Sequence, residues 1–288
     1  MPKLPDRSRL TVMDLLSNWI VPPGSTVEPA IYITVAILAL AATAVSKGGF
    51  GGGMGMFSVP LMLQVAPYDF VIGLWLPVLM ACDVATIRRY PRQWSLKSLL
   101  PIAPGILVGI AMGASGLALF GNVTSAESWL KLGVGVLALV FLVLTYAVRA
   151  LRGAVDRHPP WKPTYRVGTP LGVSLGMATT LAHAGGPMLM MYLLPQRLDK
   201  HIFVGTCGRF YFFFNGVKVL FFLGVGMLHW GTLRYGVWLM LLGLPLVWLG
   251  WWINQRISVV WFVRIIELGL ASAAVNLVWD SLPVLTME

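Results

Sequence analysis

Charged and amide side chains stand inside the apolar segments of this chain, where an unpaired charge is costly. Arg209, Asn215 and Lys218 all fall within the apolar segment 203–223. An ionisable residue at the centre of a membrane helix costs roughly 3 kcal/mol on insertion scales, so such residues are functional candidates by default. Of the two cations, Arg209 is the stronger anion ligand, because its planar guanidinium can hold an oxyanion with two hydrogen bonds.

A lysine and a histidine stand at the edges of two stretches that interrupt the apolar pattern. Lys47 directly precedes a glycine-rich stretch, and His183 opens the stretch His-Ala-Gly-Gly-Pro. Lys47 would attract an anion to open backbone, or it would snorkel to the membrane interface. His183 could bind an anion or carry a coupling proton, because its unperturbed pKa is about 6.5. The alternative is a neutral histidine that caps a helix end through a carbonyl group.

The backbone of the two stretches is a further source of chemistry. A helix does not run comfortably through many glycines, and open backbone at bilayer depth is tolerated only where protein buries it or it lines a wet cavity. If helical arms follow the breaks, their first amides point back and form a socket for a small oxyanion, whereas the carbonyl ends of the preceding arms would suit Na⁺. The glycines expected to contribute are Gly51, Gly52, Gly53, Gly185 and Gly186.

Asp83 is the acidic counterpart of these cations. An offset of 135 residues relates the two halves of the chain and places Lys218 at the position equivalent to Asp83. We therefore expect a buried Asp83–Lys218 ion pair between the halves, with a structural or coupling role. Asn215 lies three residues before Lys218 and shares its helix face. Arg209 is about half a turn out of phase, so the two cations face different neighbours.

The composition of the chain is that of a membrane protein. Hydrophobic residues make up 57% of the 288 residues and charged residues 11%, with a mean hydropathy of +0.78, whereas a soluble protein carries about 25% charged residues. The net charge is +10, but the basic residues cluster in short loops between apolar segments, as in the cytoplasmic loops of membrane proteins. We therefore expect a lipid bilayer as the partner, and no nucleic acid.

The apolar pattern predicts an all-α polytopic membrane protein with eight long segments. The number of crossings rises to ten if each interrupted segment counts twice, and the distribution of basic residues does not separate the two topologies. Both topologies place the loops 88–97 and 149–166 in the cytoplasm. The long segments are residues 30–46, 70–87, 99–120, 129–150, 167–181, 203–223, 233–253 and 257–278.

The order of the segments predicts two pseudo-symmetric repeats with broken helices at the glycine-rich motifs. The first transmembrane repeat would span residues 30–151 and the second residues 167–280, joined by a basic cytoplasmic linker at 152–166. Residues 1–29 would form a tail with a short interfacial helix at 10–20.

Two sequence features support this division. The 135-residue offset aligns Gly51 of the first break with Gly186 of the second. In the first repeat, Gly105, Gly109 and Gly113 recur every four residues, the spacing at which small residues let two membrane helices approach closely.

No group of residues has the spacing of an enzyme active site. The four histidines are scattered, no cysteine or carboxylate cluster has metal-ligand spacing, and the glycines lack the Gly-Lys-Ser/Thr of a P-loop. We therefore expect no enzyme activity, no bound metal and no cofactor, apart from possible coupling to protons or Na⁺. We interpret the aromatic run 210–214 as contacts with lipid or neighbouring helices.

The two breaks and the segment after the second form a recognisable set of motifs. They are the glycine-rich break ending in Ser58-Val59-Pro60, the break at 183–187 with Leu194-Pro195, and Phe203-x-Gly205-Thr206-x-x-x-Phe210 leading to Asn215-x-x-Lys218. Over residues 30–280 the chain resembles the sulfite exporter TauE/SafE family of bacterial transporters, also called the toluenesulfonate uptake permease family. The resemblance implies an inner-membrane protein that moves sulfite, sulfoacetate or other organosulfonates, usually outward.

The sequence thus predicts a secondary active transporter that carries a small sulfur-containing anion by alternating access around the paired breaks. An anion channel that uses the same socket is the alternative. A membrane-embedded enzyme would need a nucleophile or metal cluster that the sequence does not offer. The sequence is compatible with a homodimer and leaves open the coupling ion and the direction of transport.

Overall fold

A computed structural model of the chain describes residues 20–22, 25, 27–52, 55–120 and 161–256, with isolated helical positions between 132 and 143 and at 275, 278 and 279. Several predictions therefore lie outside the described residues, apart from isolated positions. They are the interfacial helix at 10–20, the segments 129–150 and 257–278, and most of the linker 152–166.

Every regular element in the described residues is helical, in agreement with the predicted class. The α-helices are α1 (Pro29–Phe50), α2 (Ser58–Met62), α3 (Tyr68–Arg89), α4 (Leu96–Leu99), α5 (Ala103–Phe120), α6 (Tyr165–Ala182), α7 (Gly186–Leu193), α8 (Lys200–Val225) and α9 (Trp230–Arg256), with 3-10 helices at Gly55–Phe57 and Leu194–Gln196. Among the described helices, α1, α3, α8 and α9 are long and apolar enough to cross a membrane, and α5 contains a shorter apolar stretch. The predicted total of eight long segments stays a prediction.

The first break begins later than the glycine content predicts. Helix α1 continues through Gly48 and Gly49 and ends at Gly51, whose φ of +75° is the left-handed conformation that glycine adopts without strain. The two earlier glycines stay helical because the backbone of α9 lies against them: a Cβ atom on Gly48 would come within 2.0 Å of the Val247 carbonyl oxygen. These glycines serve helix packing, and the backbone opens only after them.

The chain reverses its direction at the first break, so that α1 and α3 run parallel. Near the start of both helices, the Ser25 hydroxyl donates to the Val65 carbonyl oxygen at 3.2 Å. Near their ends, the Tyr90 hydroxyl donates to the Gly48 carbonyl oxygen at 3.0 Å. The described connecting residues 55–67 therefore run back along α1.

The second break reverses the chain in the same way. The Trp161 amide, just before α6, donates to the carbonyl oxygen of Pro195, just before α8, at 3.0 Å. At the other end of these helices, Lys218 of α8 donates to the carbonyl oxygen of Thr179 of α6 at 2.9 Å. Helices α6 and α8 are therefore parallel, and the short helix α7 runs back between them.

The two broken-helix units run in opposite directions. The Ser95 amide, after the end of α3, donates to the Thr206 hydroxyl near the start of α8 at 2.9 Å. Further along α8, Asn215 contacts Asp83, which lies earlier in α3. Contacts that advance along α8 thus recede along α3, so these helices are antiparallel. Because α1 is parallel to α3 and α6 is parallel to α8, α1 and α6 also run in opposite directions.

Glycines let two pairs of helices pack with their backbones in contact. A Cβ atom on Gly105 of α5 would lie 1.9 Å from the Thr169 carbonyl oxygen of α6, Gly109 has the same kind of contact one turn later, and Gly113 faces a threonine side chain of α6. The close-contact spacing predicted for these three glycines is therefore confirmed. Helix α9 packs on α1 in the same manner, as the contact at Gly48 shows. Each broken helix thus lies against an unbroken helix from the other half of the chain.

Candidate functional site

A small cavity lies where the two breaks meet. The centre of a water molecule can move through only about 10 Å³ of it, so the cavity holds about one water molecule. The first break reaches it through Gly52 and Gly55, and the second through His183 and Gly186. The other lining residues are Lys47, Leu79, Thr179, Tyr211 and Asn215. The two breaks that the sequence singles out therefore line one site.

Lys47 reaches the cavity from the last turn of α1, and its ammonium forms an ion pair with Asp83 of α3. The two side chains are 4% and 0% exposed. The second carboxylate oxygen, Oδ2, accepts a hydrogen bond from Asn215 Nδ2 of α8 at 2.9 Å. Three helices therefore meet at one carboxylate, whose buried charge is compensated on both oxygens, as a buried carboxylate requires.

Lys218 binds a different set of groups, so the predicted Asp83–Lys218 ion pair is wrong. Its Nζ donates to the carbonyl oxygen of Thr179 at 2.9 Å, to the hydroxyl of Thr179 at 3.2 Å and to His183 Nδ1 at 3.1 Å. An ammonium has three donors, and these contacts use all three. The 135-residue offset relates equivalent positions in the two halves, and equivalent positions need not be in contact.

His183 ends α6 and links three parts of the site. Its backbone has φ +49°, the left-handed conformation, which costs a non-glycine residue about 1–2 kcal/mol. Its Nε2 lies 3.0 Å from the Ile72 carbonyl oxygen, which can only accept, so Nε2 carries the hydrogen and Nδ1 offers its lone pair to Lys218. The ring is therefore neutral in this arrangement and orients Lys218, and its contact with a carbonyl group is the one that the capping alternative expects.

Tyr211 of α8 is a cavity residue that the sequence did not single out. Its ring lies under the Lys47 ammonium, which is 4.3 Å from the ring centroid. Its hydroxyl is buried and has no hydrogen-bond partner among the described residues. Tyr211 thus makes a helix contact, as the aromatic run 210–214 was expected to, and it also lines the cavity, which the sequence did not indicate. The available signal was its position one helical turn before Asn215, on the same face of the helix.

The predicted glycines have separate roles in the breaks. Gly51 and Gly52 both have positive φ, and a Cβ atom on Gly52 would lie 2.8 Å from a ring carbon of Tyr211. Gly185 lies close behind Thr179 rather than on the cavity wall. Gly53 lies outside the described residues. The arm after the first break is a 3-10 turn followed by the five-residue helix α2, shorter than the helical arm that the sequence predicts.

Arg209 does not reach the cavity. One of its terminal nitrogens donates to the carbonyl oxygens of Tyr90 and Gly205, both at 3.1 Å, and its guanidinium lies 5.3 Å from the centroid of a Trp94 ring. These partners lie at the loop that follows α3, near the start of α8. Arg209 therefore holds this loop against α8. The lysine that lines the cavity is Lys47.

A family model described as "Sulfite exporter TauE/SafE" matches residues 35–277, most of the chain. The chain belongs to the TauE/SafE family. The matched range contains both breaks and every residue that lines the cavity. Comparisons with curated proteins and with solved structures found no match.

Membership of the TauE/SafE family makes this a membrane transport protein, in agreement with its apolar helices. The cavity of this TauE/SafE protein is buried between helices, and it combines a lysine ammonium, an amide, a phenol hydroxyl and the open backbone of two breaks. Each of these groups can donate a hydrogen bond, so the site is suited to an anion with several oxygen atoms.

Proposed function

We propose that this TauE/SafE protein is a secondary active transporter that exports a small sulfur-containing anion, such as sulfite or an organosulfonate, across the bacterial inner membrane. The observation that carries the proposal is that both breaks line the same cavity, with Lys47 as the cation among the described lining residues. In transporters with broken helices, the substrate site lies near the membrane midplane where the interrupted segments meet.

The chemistry of the cavity supports an oxyanion as the substrate. Lys47 would supply charge, while Asn215 and the unpartnered hydroxyl of Tyr211 would supply directed hydrogen bonds. Helix α7 begins at Gly186 on the cavity wall, so the backbone amide of Gly186 could add a further donor to these side chains, whereas Pro187 after it has no N–H. The small volume of the cavity favours a compact anion.

We further propose substrate-binding roles for Lys47, Gly52, Gly186 and Asn215, and a supporting role for Gly51, Gly53 and Gly185 in shaping the breaks. Asp83, His183 and Lys218 would hold and balance the site. The contacts of Arg209 with the loop after α3 speak for a structural role.

Alternating access between two inverted repeats is the transport mechanism that we propose, with the first repeat in residues 30–151 and the second in 167–280. The opposite directions of α1 and α6 support inverted repeats. The packing between the halves also supports inverted repeats, because the broken helix of each half packs on an unbroken helix of the other half. Rocking of one packed unit against the other would expose the cavity to each side in turn. This mechanism implies a multi-pass protein with 152–166 as a cytoplasmic linker.

Flux measurements in reconstituted vesicles test the proposed function. The purified protein would be supplied with sulfite, sulfate, taurine, sulfoacetate or chloride, with and without proton and Na⁺ gradients. We expect saturable flux of a sulfur-containing anion that competes with its relatives and responds to an ion gradient. Flux that does not saturate and follows only the anion's own gradient would indicate a channel instead. If no sulfur-containing anion moves or competes, the proposal fails.

A further inference from the structure

The side chains around the cavity carry one more positive than negative charge. Among the residues that the structure describes, the buried acids and bases are Lys47, Asp83, His183 and Lys218, and all four belong to this one cluster. Asp83 is the acid of the group. The other three are two lysines and a histidine whose ring is neutral, because Nε2 donates to the Ile72 carbonyl oxygen while Nδ1 accepts from Lys218.

The hydrogen bonds around Lys218 suit its ordinary ammonium form. The Thr179 carbonyl oxygen and His183 Nδ1 can only accept, so each takes an N–H of Lys218, and the Thr179 hydroxyl can accept the third. The ammonium of Lys47 pairs with Asp83 and lies over the Tyr211 ring, a favourable place for a cation. One ammonium is therefore balanced by the carboxylate and the other is not.

The remaining groups that face Asp83 do not change this balance. Cys82 lies beside it on α3, and Cys207 and Tyr211 face it from α8; thiols and phenols are ordinarily uncharged at pH 7. From the buried face of α9 the titratable side chain is Tyr235, which stacks on Phe70 at the far end of α3. In the described part of the chain, the cluster thus has a formal charge of +1.

From this charge we infer that the site binds an anion with one negative charge, such as hydrogensulfite or a monosulfonate, rather than a dianion such as sulfate. The carboxylate of Asp83 limits the substrate to a single charge, because it already balances one of the two ammonium groups. The inference rests on the proposed function and narrows its substrate class. A monoanion leaves no net charge in the buried cluster, whereas a dianion leaves one uncompensated negative charge, which is expensive away from water.

Competition experiments with the reconstituted protein test this selectivity. Methanesulfonate is a monoanion and sulfate a dianion throughout the neutral pH range, so neither changes its charge during the measurement. We expect methanesulfonate to compete for transport at a concentration at least about tenfold lower than sulfate, because of the uncompensated buried charge that sulfate creates. Sulfite provides a second test, since its monovalent form disappears as the pH rises. Its flux should fall relative to that of methanesulfonate as the pH rises, because an effect of pH on the transporter itself acts on both anions.

Variants at Asp83 and Lys218 test the charge of the cluster without altering the cavity wall at Lys47. Asp83→Asn raises the formal charge to +2 and should lower or invert the preference for the monoanion. Lys218→Met removes the excess charge and should weaken binding of methanesulfonate. The double variant Asp83→Asn with Lys218→Met has a charge of +1 again and should recover the preference for methanesulfonate. Asp83→Glu conserves the carboxylate and should therefore have the same preference for methanesulfonate as the wild-type protein. Thermal unfolding of each purified variant shows which of them are folded.

The outcomes separate this inference from the proposed function. If the wild-type protein moves methanesulfonate and sulfate equally well, or if the double variant and Asp83→Asn have the same preference, the inference is wrong and the transport function stands. If the wild-type protein moves no sulfur-containing anion, the proposed function is wrong and the inference falls with it. If Asp83→Asn does not fold, two measurements on the wild-type protein still test the inference: the competition between methanesulfonate and sulfate, and the pH dependence of sulfite flux.

Discussion

The ammonium of Lys47 and the carboxylate of Asp83 form an ion pair in which the lysine is 4% exposed and the aspartate is fully buried. Removing one partner of a buried pair leaves an uncompensated charge and costs about 3–5 kcal/mol, whereas removing both can be nearly neutral. We therefore expect Lys47→Met and Asp83→Asn each to lower the thermal stability of the detergent-solubilised protein strongly. The double variant should be more stable than either single variant.

A double-mutant cycle built from the unfolding temperatures checks this coupling. Additive losses in the double variant would show that the two side chains do not interact. Flux measured in parallel distinguishes stability from function, because the double variant lacks the cavity cation and should transport poorly even where it is stable.

Tyr211→Phe removes a hydroxyl that has no partner among the described residues. Its loss should leave the thermal stability unchanged or slightly higher, since an unsatisfied buried polar group costs about 1–3 kcal/mol. If the hydroxyl donates to the bound anion, the substrate concentration for half-maximal flux should rise by roughly tenfold or more, because hydrogen bonds to charged groups contribute about 1.5–3 kcal/mol. Unchanged half-saturation with unchanged stability would remove Tyr211 from the substrate contacts.

Gly52→Ala should reduce transport by more than the strain of placing alanine in the left-handed conformation accounts for. Gly52 has φ +81°, and a Cβ atom there would lie 2.8 Å from the Tyr211 ring. Gly226→Ala is a matched control, because Gly226 has φ +80° and a Cβ atom there would meet nothing within 4 Å, so it shows the left-handed strain alone, about 1–2 kcal/mol. Equal losses of flux and stability in the two variants would show that the contact with Tyr211 does not matter.

Gly105→Ala tests the backbone contact between α5 and α6. Its Cβ atom would lie 1.9 Å from the Thr169 carbonyl oxygen, so the helices must move apart and the unfolding temperature should fall. Gly116→Ala on the same helix meets no atom within 4 Å and should be neutral or stabilising by up to about 1 kcal/mol, as alanine favours the helix. The prediction is refuted if both variants unfold at the same temperature.

Arg209→Gln should leave the half-saturation concentration of the transported anion unchanged. The guanidinium donates to the carbonyl oxygens of Tyr90 and Gly205, outside the cavity. Losing these contacts should lower the unfolding temperature, because buried or partly buried carbonyl groups lose a charged donor. A clear rise in half-saturation at unchanged stability would restore Arg209 as a substrate ligand.

Several features of the architecture depend only on residues that are close together in the chain, so they can be predicted from the sequence. The helical class follows from apolar runs that must satisfy their backbone hydrogen bonds internally in lipid. The second break is visible in the Gly-Gly-Pro run that follows His183, whereas the ending of the first helix at Gly51 is not, because packing against α9 keeps Gly48 and Gly49 helical. The close approach of α5 to a neighbour is likewise visible in the spacing of Gly105 and Gly109.

The sequence by itself therefore determined the membrane class, the two breaks and the family, because hydropathy, glycine content and motif order are properties of neighbouring residues. Only the tertiary structure decided which side chains meet. Asp83 pairs with Lys47 instead of Lys218, and Tyr211 faces the cavity while Arg209 does not. Contacts of this kind depend on the rotation and depth of each helix against its neighbours, and a linear offset between two halves contains neither.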